Sequence, residues 1–202
     1  MWELVKAGGW LMLPLMLCSI FMLAISLERL IRLKRQTILP SALLLRGDEN
    51  PQVVMDALHQ NAQLKDSTLG RIFMAGELSR LQSPEYARAQ MEAVASEEIG
   101  YLEKNINFLG TLSAVAPLLG LLGTVLGIIE SFLILDLSNH SNPTLMIPGI
   151  SKALITTAVG MLIAVPALFA YRYFQRLVQE YVAVLEQQAT LFHAAYFYQK
   201  GQ

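Results

Sequence analysis

The sequence predicts an all-α membrane protein with three transmembrane helices, the second and third carrying long cytoplasmic extensions. Three uncharged apolar runs point to it. Gly8 to Leu27, Asn105 to Ile129 and Ala153 to Tyr171 each hold about the 20 residues that cross a bilayer's hydrocarbon at 1.5 Å per residue. Composition agrees: 54% of the 202 residues are hydrophobic, 15% are charged, and mean hydropathy is +0.44. A soluble domain is roughly a quarter charged. The third observation is where the basic residues fall. Arg29, Arg32, Lys34 and Arg35 follow the first run, Lys104 precedes the second, Arg172 and Arg176 follow the third, and 136–149 holds no Lys or Arg. Positive flanks mark the cytoplasmic side, so the N-terminus is expected outside and the C-terminus inside.

The chain then divides into an external N-terminus (1–7), a first span (8–28), a cytoplasmic helical section (29–104), a second span (105–135), an external loop (136–149), a third span (150–171) and a cytoplasmic C-terminal helix (172–202). A cleavable signal peptide carries its positive charge before the apolar region; here the charge comes after, so the first span is expected to be a retained anchor.

Pro51 to Gln60 and Thr68 to Leu81 read as short amphipathic helices, the latter with Leu69, Ile72, Phe73, Gly76 and Arg80 on one side. Ser83, Pro84 and Glu85 form a helix start of N-cap, first-turn proline and dipole-favouring acid. No strong breaker separates Glu85 from Pro117, so a continuous rod is expected to run into the second span, bent near Pro117, with Glu92, Glu97, Glu98 and Glu103 on a polar surface. Turn-forming residues fill Leu137 to Pro148. After Arg172, Leu177, Tyr181, Val184, Leu185, Gln188 and Phe192 form an apolar face suited to packing on the helix that leads into the second span, and Phe192, Tyr196, Phe197 and Tyr198 read as packing or subunit contacts.

The second span is patterned as well as apolar. Gly110, Ser113, Pro117, Gly120, Thr124, Gly127 and Ser131 follow at spacings of 3 and 4, which sets the small residues on one stripe, with Leu118, Leu121, Leu122, Val125, Ile128 and Ile129 off it. Ala153, Thr157, Gly160, Ala164 and Ala167 repeat the pattern in the third span. Lipid gives no reason to segregate small residues, so the stripes are either helix-packing seams or a pore wall. If the two spans are antiparallel neighbours, residues at one depth have a nearly constant sum of numbers. Thr124 with Thr157, Glu130 with Lys152 and Pro117 with Pro166 agree within two. That register sets the threonines face to face at mid-depth and brings Glu130 to Lys152 nearer the outside. An intramembrane charge pair is a functional candidate; both could instead snorkel to water.

Other chemistries lack their residues. Net charge is -1 and no basic block stands apart from the spans, against nucleic-acid binding. The single cysteine, Cys18, makes no internal disulfide and reads as a small hydrophobe, and His59, His140 and His193 lack metal-ligand spacing. No catalytic residue, metal or cofactor is assigned. Gly120 to Gly127 lacks the Gly-Lys-Ser/Thr ending of a phosphate loop, and neither a Gly-x-Ser-x-Gly elbow nor a His-Glu-x-x-His helix occurs.

Ala116-Pro-Leu-Leu-Gly-Leu-Leu-Gly-Thr-Val-Leu-Gly127 and Gly149-Ile-Ser-Lys-Ala-Leu-Ile-Thr-Thr-Ala-Val-Gly160, with Ala164-Val-Pro166, resemble the ExbB/TolQ/MotA family of proton-channel subunits. Three spans with an external N-terminus look like ExbB or TolQ rather than the four-span MotA. The resemblance implies a bacterial inner-membrane homo-oligomer, a pentamer in ExbB. Its second and third helices would surround the single spanning helix of an ExbD-like or TolR-like partner, whose aspartate carries the proton past Thr124 and Thr157. A TonB-like or TolA-like protein would receive the motion. The proton pathway is then assigned to Thr124, Thr157, Glu130 and Lys152, and helix packing or pore wall to Ser113, Pro117, Gly120, Gly127, Ala153, Gly160 and Ala164. One departure stands out. Lys152 occupies a place where the family often has glutamate, and Glu130 one that is often asparagine, so the acid has crossed the helix pair and is expected to be held by Lys152. The resulting reading is a proton-channel subunit of ExbB type. TolQ is the nearest alternative, a non-conducting scaffold the next, and a secondary transporter is disfavoured by three spans without an inverted repeat.

Overall fold

A computed structural model describes residues 8–45, 51–137 and 143–198. The expected external N-terminus and the Ser138 to Asn142 part of the expected loop, including His140, lie outside the described residues. Six principal helices follow in order: α1 (Met12–Arg32), α2 (Pro51–Gln60), α3 (Thr68–Leu78), α4 (Pro84–Glu103), α5 (Ile106–Leu137) and α6 (Ile147–Tyr198). Short helical turns at Arg35–Ile38, Ser41–Leu43, Ala62–Lys65 and Pro143–Met146 connect them, and no strand occurs among the described residues. The fold is all-α. Among the described residues, three helical stretches, containing α1, α5 and α6, are long and apolar enough to cross a membrane. The 52 residues of α6 would extend roughly 78 Å, more than twice a bilayer's apolar thickness.

The chain divides into two compact units. The first joins Met1–Glu28 to Asn105–Tyr173, and the second joins Arg29–Lys104 to Phe174–Gln202. In the first unit, Met12 and Leu15 of α1 pack with Ala116 of α5 and with Ile163 and Ala164 of α6; Cys18, Leu119 and Val159 lie against this core. Leu118, Leu121, Leu122, Val125, Ile128 and Ile129, the apolar residues off the α5 stripe, are all exposed. Large apolar surface facing outward on every helix suits lipid or further protein and not water.

In the second unit the α6 tail is the organising element. The Tyr181 hydroxyl donates to Leu33 O (3.0 Å), Gln188 Oε1 accepts from Leu45 N (2.7 Å), and Phe192 stacks on Phe73 with ring centroids 4.3 Å apart. Tyr196 donates to Glu77. These contacts recur every two turns and then every turn, so one helical face gathers the short helices in succession. Ser67 and Ser83 cap α3 and α4, accepting from Gly70 N and Tyr86 N at 3.1 Å each.

Four expectations are revised. The rod into the second span is interrupted: α4 ends at Glu103, Lys104 is extended (ψ 139) and Asn105 is left-handed (φ 62) before α5 starts. Asparagine tolerates that conformation, so no Gly or Pro announces the break. Arg29 does not sit among the solvated charges. It is 1% exposed and its Nη1 donates to the Tyr101 and Leu102 carbonyls (3.2 and 3.1 Å), which the end of α4 leaves without helical partners. Glu98 likewise turns inward, held by Arg71 at 2.9 Å. Leu69, Ile72, Phe73 and Gly76 are buried on α3 as a set, but α3 stops at Leu78 and Arg80 lies beyond it, exposed.

Candidate functional site

Helices α5 and α6 touch backbone to backbone. A Cβ on Gly160 would stand 2.6 Å from Ala116 O, one on Gly120 3.0 Å from Thr157 Cα, and one on Gly127 2.7 Å from Gly149 O. The first and third are closer than real side chains approach and the second is tighter than most, so glycine at these points is what allows the contact. Ser131, fully buried, donates from Oγ to Gly127 O at 2.8 Å and lies 3.3 Å from Met146 O, closing the end of the seam nearest the start of α6.

The seam sets a register different from the expected one. Thr157 lies against Gly120 and donates to its carbonyl (2.9 Å), while Thr124, one turn further along α5, donates within its own helix to Leu121 O (2.6 Å). The two hydroxyls do not pair with each other. The register is decided where the smallest residues let backbones meet. Lys152 still reaches Glu130 because its long stem covers the remaining distance.

At about 100° per residue, Thr124 sits roughly 40° to one side of Gly120 and Glu130 roughly 80° to the other. On α6, Thr157 and Lys152 fall on opposite sides of Gly160 in the same way. The four residues assigned to one path therefore form two pairs on opposite flanks of the seam. Ser113 and Pro117 fall on the threonine side, and Ser113, Pro117, Thr124 and Thr157 are all half-buried in the monomer.

The other flank faces α1. Lys152 Nζ lies 2.7 Å from Glu130 Oε2, with side-chain exposures of 28% and 51%. A Cβ on Gly9, itself at φ +71, would collide with the Lys152 stem and stand 2.9 Å from its Nζ. The pair borders a cavity of about 270 Å³ lined also by Gly8, Trp10, Gly123 and Thr156. An ion pair beside a polar cavity at a helix end can stay hydrated, which lowers the cost of charge in a spanning segment.

The seam thus carries threonine hydroxyls on one flank and the Glu130–Lys152 ion pair on the other. The sequence model described as the MotA/TolQ/ExbB proton channel family matches residues 53–187. The chain belongs to this family. The ExbB-like 1 biopolymer transport protein of Synechocystis sp. is 33% identical over 96% of this chain and 80% of its own length. A Tol-Pal system protein TolQ of Pseudomonas aeruginosa is 40% identical over 54% of this chain and 52% of its own. The biopolymer transport protein ExbB of Salmonella typhimurium is 38% identical over 42% and 35%.

Two further residues meet at this seam that sequence reasoning did not single out. Thr156 is 1% exposed, donates to Ala153 O (2.8 Å), and stands 2.6 Å from where a Gly123 Cβ would lie. Gly123 also fits the 3 and 4 spacing, three residues after Gly120 and four before Gly127, and this second small residue beside Thr124 was the available signal. It widens the α5–α6 seam on the side where Thr156 packs.

Proposed function

We propose that this protein is the channel-forming subunit of a bacterial inner-membrane complex of ExbB type, which uses the proton-motive force to drive transport across the outer membrane. Copies assemble as a ring, a pentamer by resemblance, with α1, α5 and α6 spanning the bilayer, the N-terminus periplasmic and the C-terminus cytoplasmic. The threonine flank of α5 and α6 turns to the centre, where a single spanning helix of an ExbD-like partner carries a titrating aspartate. A TonB-like protein receives the motion.

The observation that carries the reading is the half-buried strip of Ser113, Pro117, Thr124 and Thr157 on the flank away from α1. Threonine does not titrate near neutral pH, so its hydroxyl relays through water or steadies the partner's carboxylate. The drive is about 2.3 kcal/mol per proton for each 100 mV. Glu130 and Lys152, on the α1 flank, hold the outer ends of the helices together and stand beside the path instead of in it.

Thr124→Val and Thr157→Val test this in the complex with its partner. Proton-dependent activity should fall at least tenfold while assembly is retained; unchanged activity in both would leave a non-conducting scaffold. The TolQ relatives support a second reading, a Tol-type subunit working with TolR-like and TolA-like partners, and the identity of the co-purified single-span protein separates the two.

A further inference from the structure

We propose that the cytoplasmic end of α1 is a binding surface for the phosphate headgroups of anionic phospholipids. This rests on the reading that α1 crosses the membrane. Leu13, Leu17, Ile20, Leu27 and Ile31 are exposed along one face of α1, so the apolar face suited to lipid continues to the last turn of the helix, with Leu30 exposed beside it. There it meets basic side chains. Of the four that follow the first span, Arg29 is buried against backbone carbonyls, and Arg32, Lys34 and Arg35 are exposed.

These three are held in place by the chain around them. Leu33 is 4% exposed, its amide donates to Arg29 O (2.9 Å) and its carbonyl accepts from Tyr181, while Ile38 and Leu39 are buried just beyond. Buried Leu33, Ile38 and Leu39 anchor the backbone from which exposed Arg32, Lys34 and Arg35 project. An apolar face for acyl chains that ends in fixed cations is complementary to a lipid with a negative headgroup, and each such cation favours anionic lipid by about fivefold.

The test uses the full chain with Trp2 and Trp10 changed to Phe and Leu30→Trp as the single fluorophore. It is reconstituted with phosphatidylcholine or phosphatidylglycerol carrying dibrominated acyl chains, which quench a tryptophan on contact. The expected result is a relative binding constant favouring phosphatidylglycerol by fivefold or more, falling close to one in the variant Arg32→Gln, Lys34→Gln, Arg35→Gln. Continued quenching by brominated phosphatidylcholine reports that this variant is still inserted. Equal binding of the two lipids with the charges intact overturns the proposal, as does a preference that survives the triple change. If neither lipid quenches, α1 does not end at the bilayer, and the spanning reading fails first.

Discussion

Lys152 Nζ and Glu130 Oε2 lie 2.7 Å apart on the flank of the α5–α6 seam that faces α1, while Thr124 and Thr157 lie on the other. In the function proposed above, this separation gives the pair the task of holding helices together and leaves the threonines to the proton path.

For a pair this exposed, loss of one charge should cost up to about 1 kcal/mol. Glu130→Gln is expected to lower the melting temperature in detergent slightly. Lys152→Glu sets carboxylate against carboxylate and should be worse, and the exchange Glu130→Lys with Lys152→Glu should return to within about 0.5 kcal/mol of the parent. A double variant no better than Lys152→Glu would mean that the 2.7 Å contact does not matter.

Two glycines should respond in opposite directions to alanine. At Gly160 the new methyl would stand 2.6 Å from Ala116 O, forcing the backbones apart at a cost of about 1–3 kcal/mol. Nothing lies within 4 Å of a Cβ on Gly100, in the interior of α4, and alanine there should stabilise by about 0.5–1 kcal/mol. Thermal melts of both variants check the contrast, and a destabilised Gly100→Ala would contradict it.

Arg29→Gln removes the donor that serves Tyr101 O and Leu102 O and should cost about 2–3 kcal/mol. Lys34→Gln, at an exposed position, should stay within about 0.5 kcal/mol. Amide hydrogen exchange locates the effect: protection in the last turn of α4 should fall in the Arg29 variant and stay constant in the other.

Burial, and then the hydrogen bond and charge of Glu77, push the Tyr196 phenol up to about 12 from an ordinary value of 10.0, against a smaller opposing effect of Arg80. The folded state therefore holds this proton more tightly than the unfolded state does. The stability it contributes is complete below about pH 10 and is lost as pH rises from about 10 to 12. Absorbance titration should show a late phenol component that is absent in Tyr196→Phe, and that variant should lose less stability across the same interval.

Long-period features were legible in the sequence: the apolar runs, the helix starts at Ser83 and Pro51, the buried set on α3, and the small stripes of α5 and α6. Each depends on side chains that repeat along one helix, so a single strand of text contains the pattern. The register was not legible, because three numerical coincidences stood in for the backbone contact between Gly120 and Gly160 that decides it.

By itself the sequence determined that this chain is helical, apolar enough for a membrane and built on glycine-lined spans, because composition and periodicity dictate how single helices partition. Only the tertiary structure decided which way charges and hydroxyls face. It turned Arg29 inward, broke the helix at Asn105, and divided Thr124 and Thr157 from Glu130 and Lys152. The physical reason is that the angle between a residue and its neighbouring helix depends on where two backbones meet, and that is a property of the pair that neither helix carries alone.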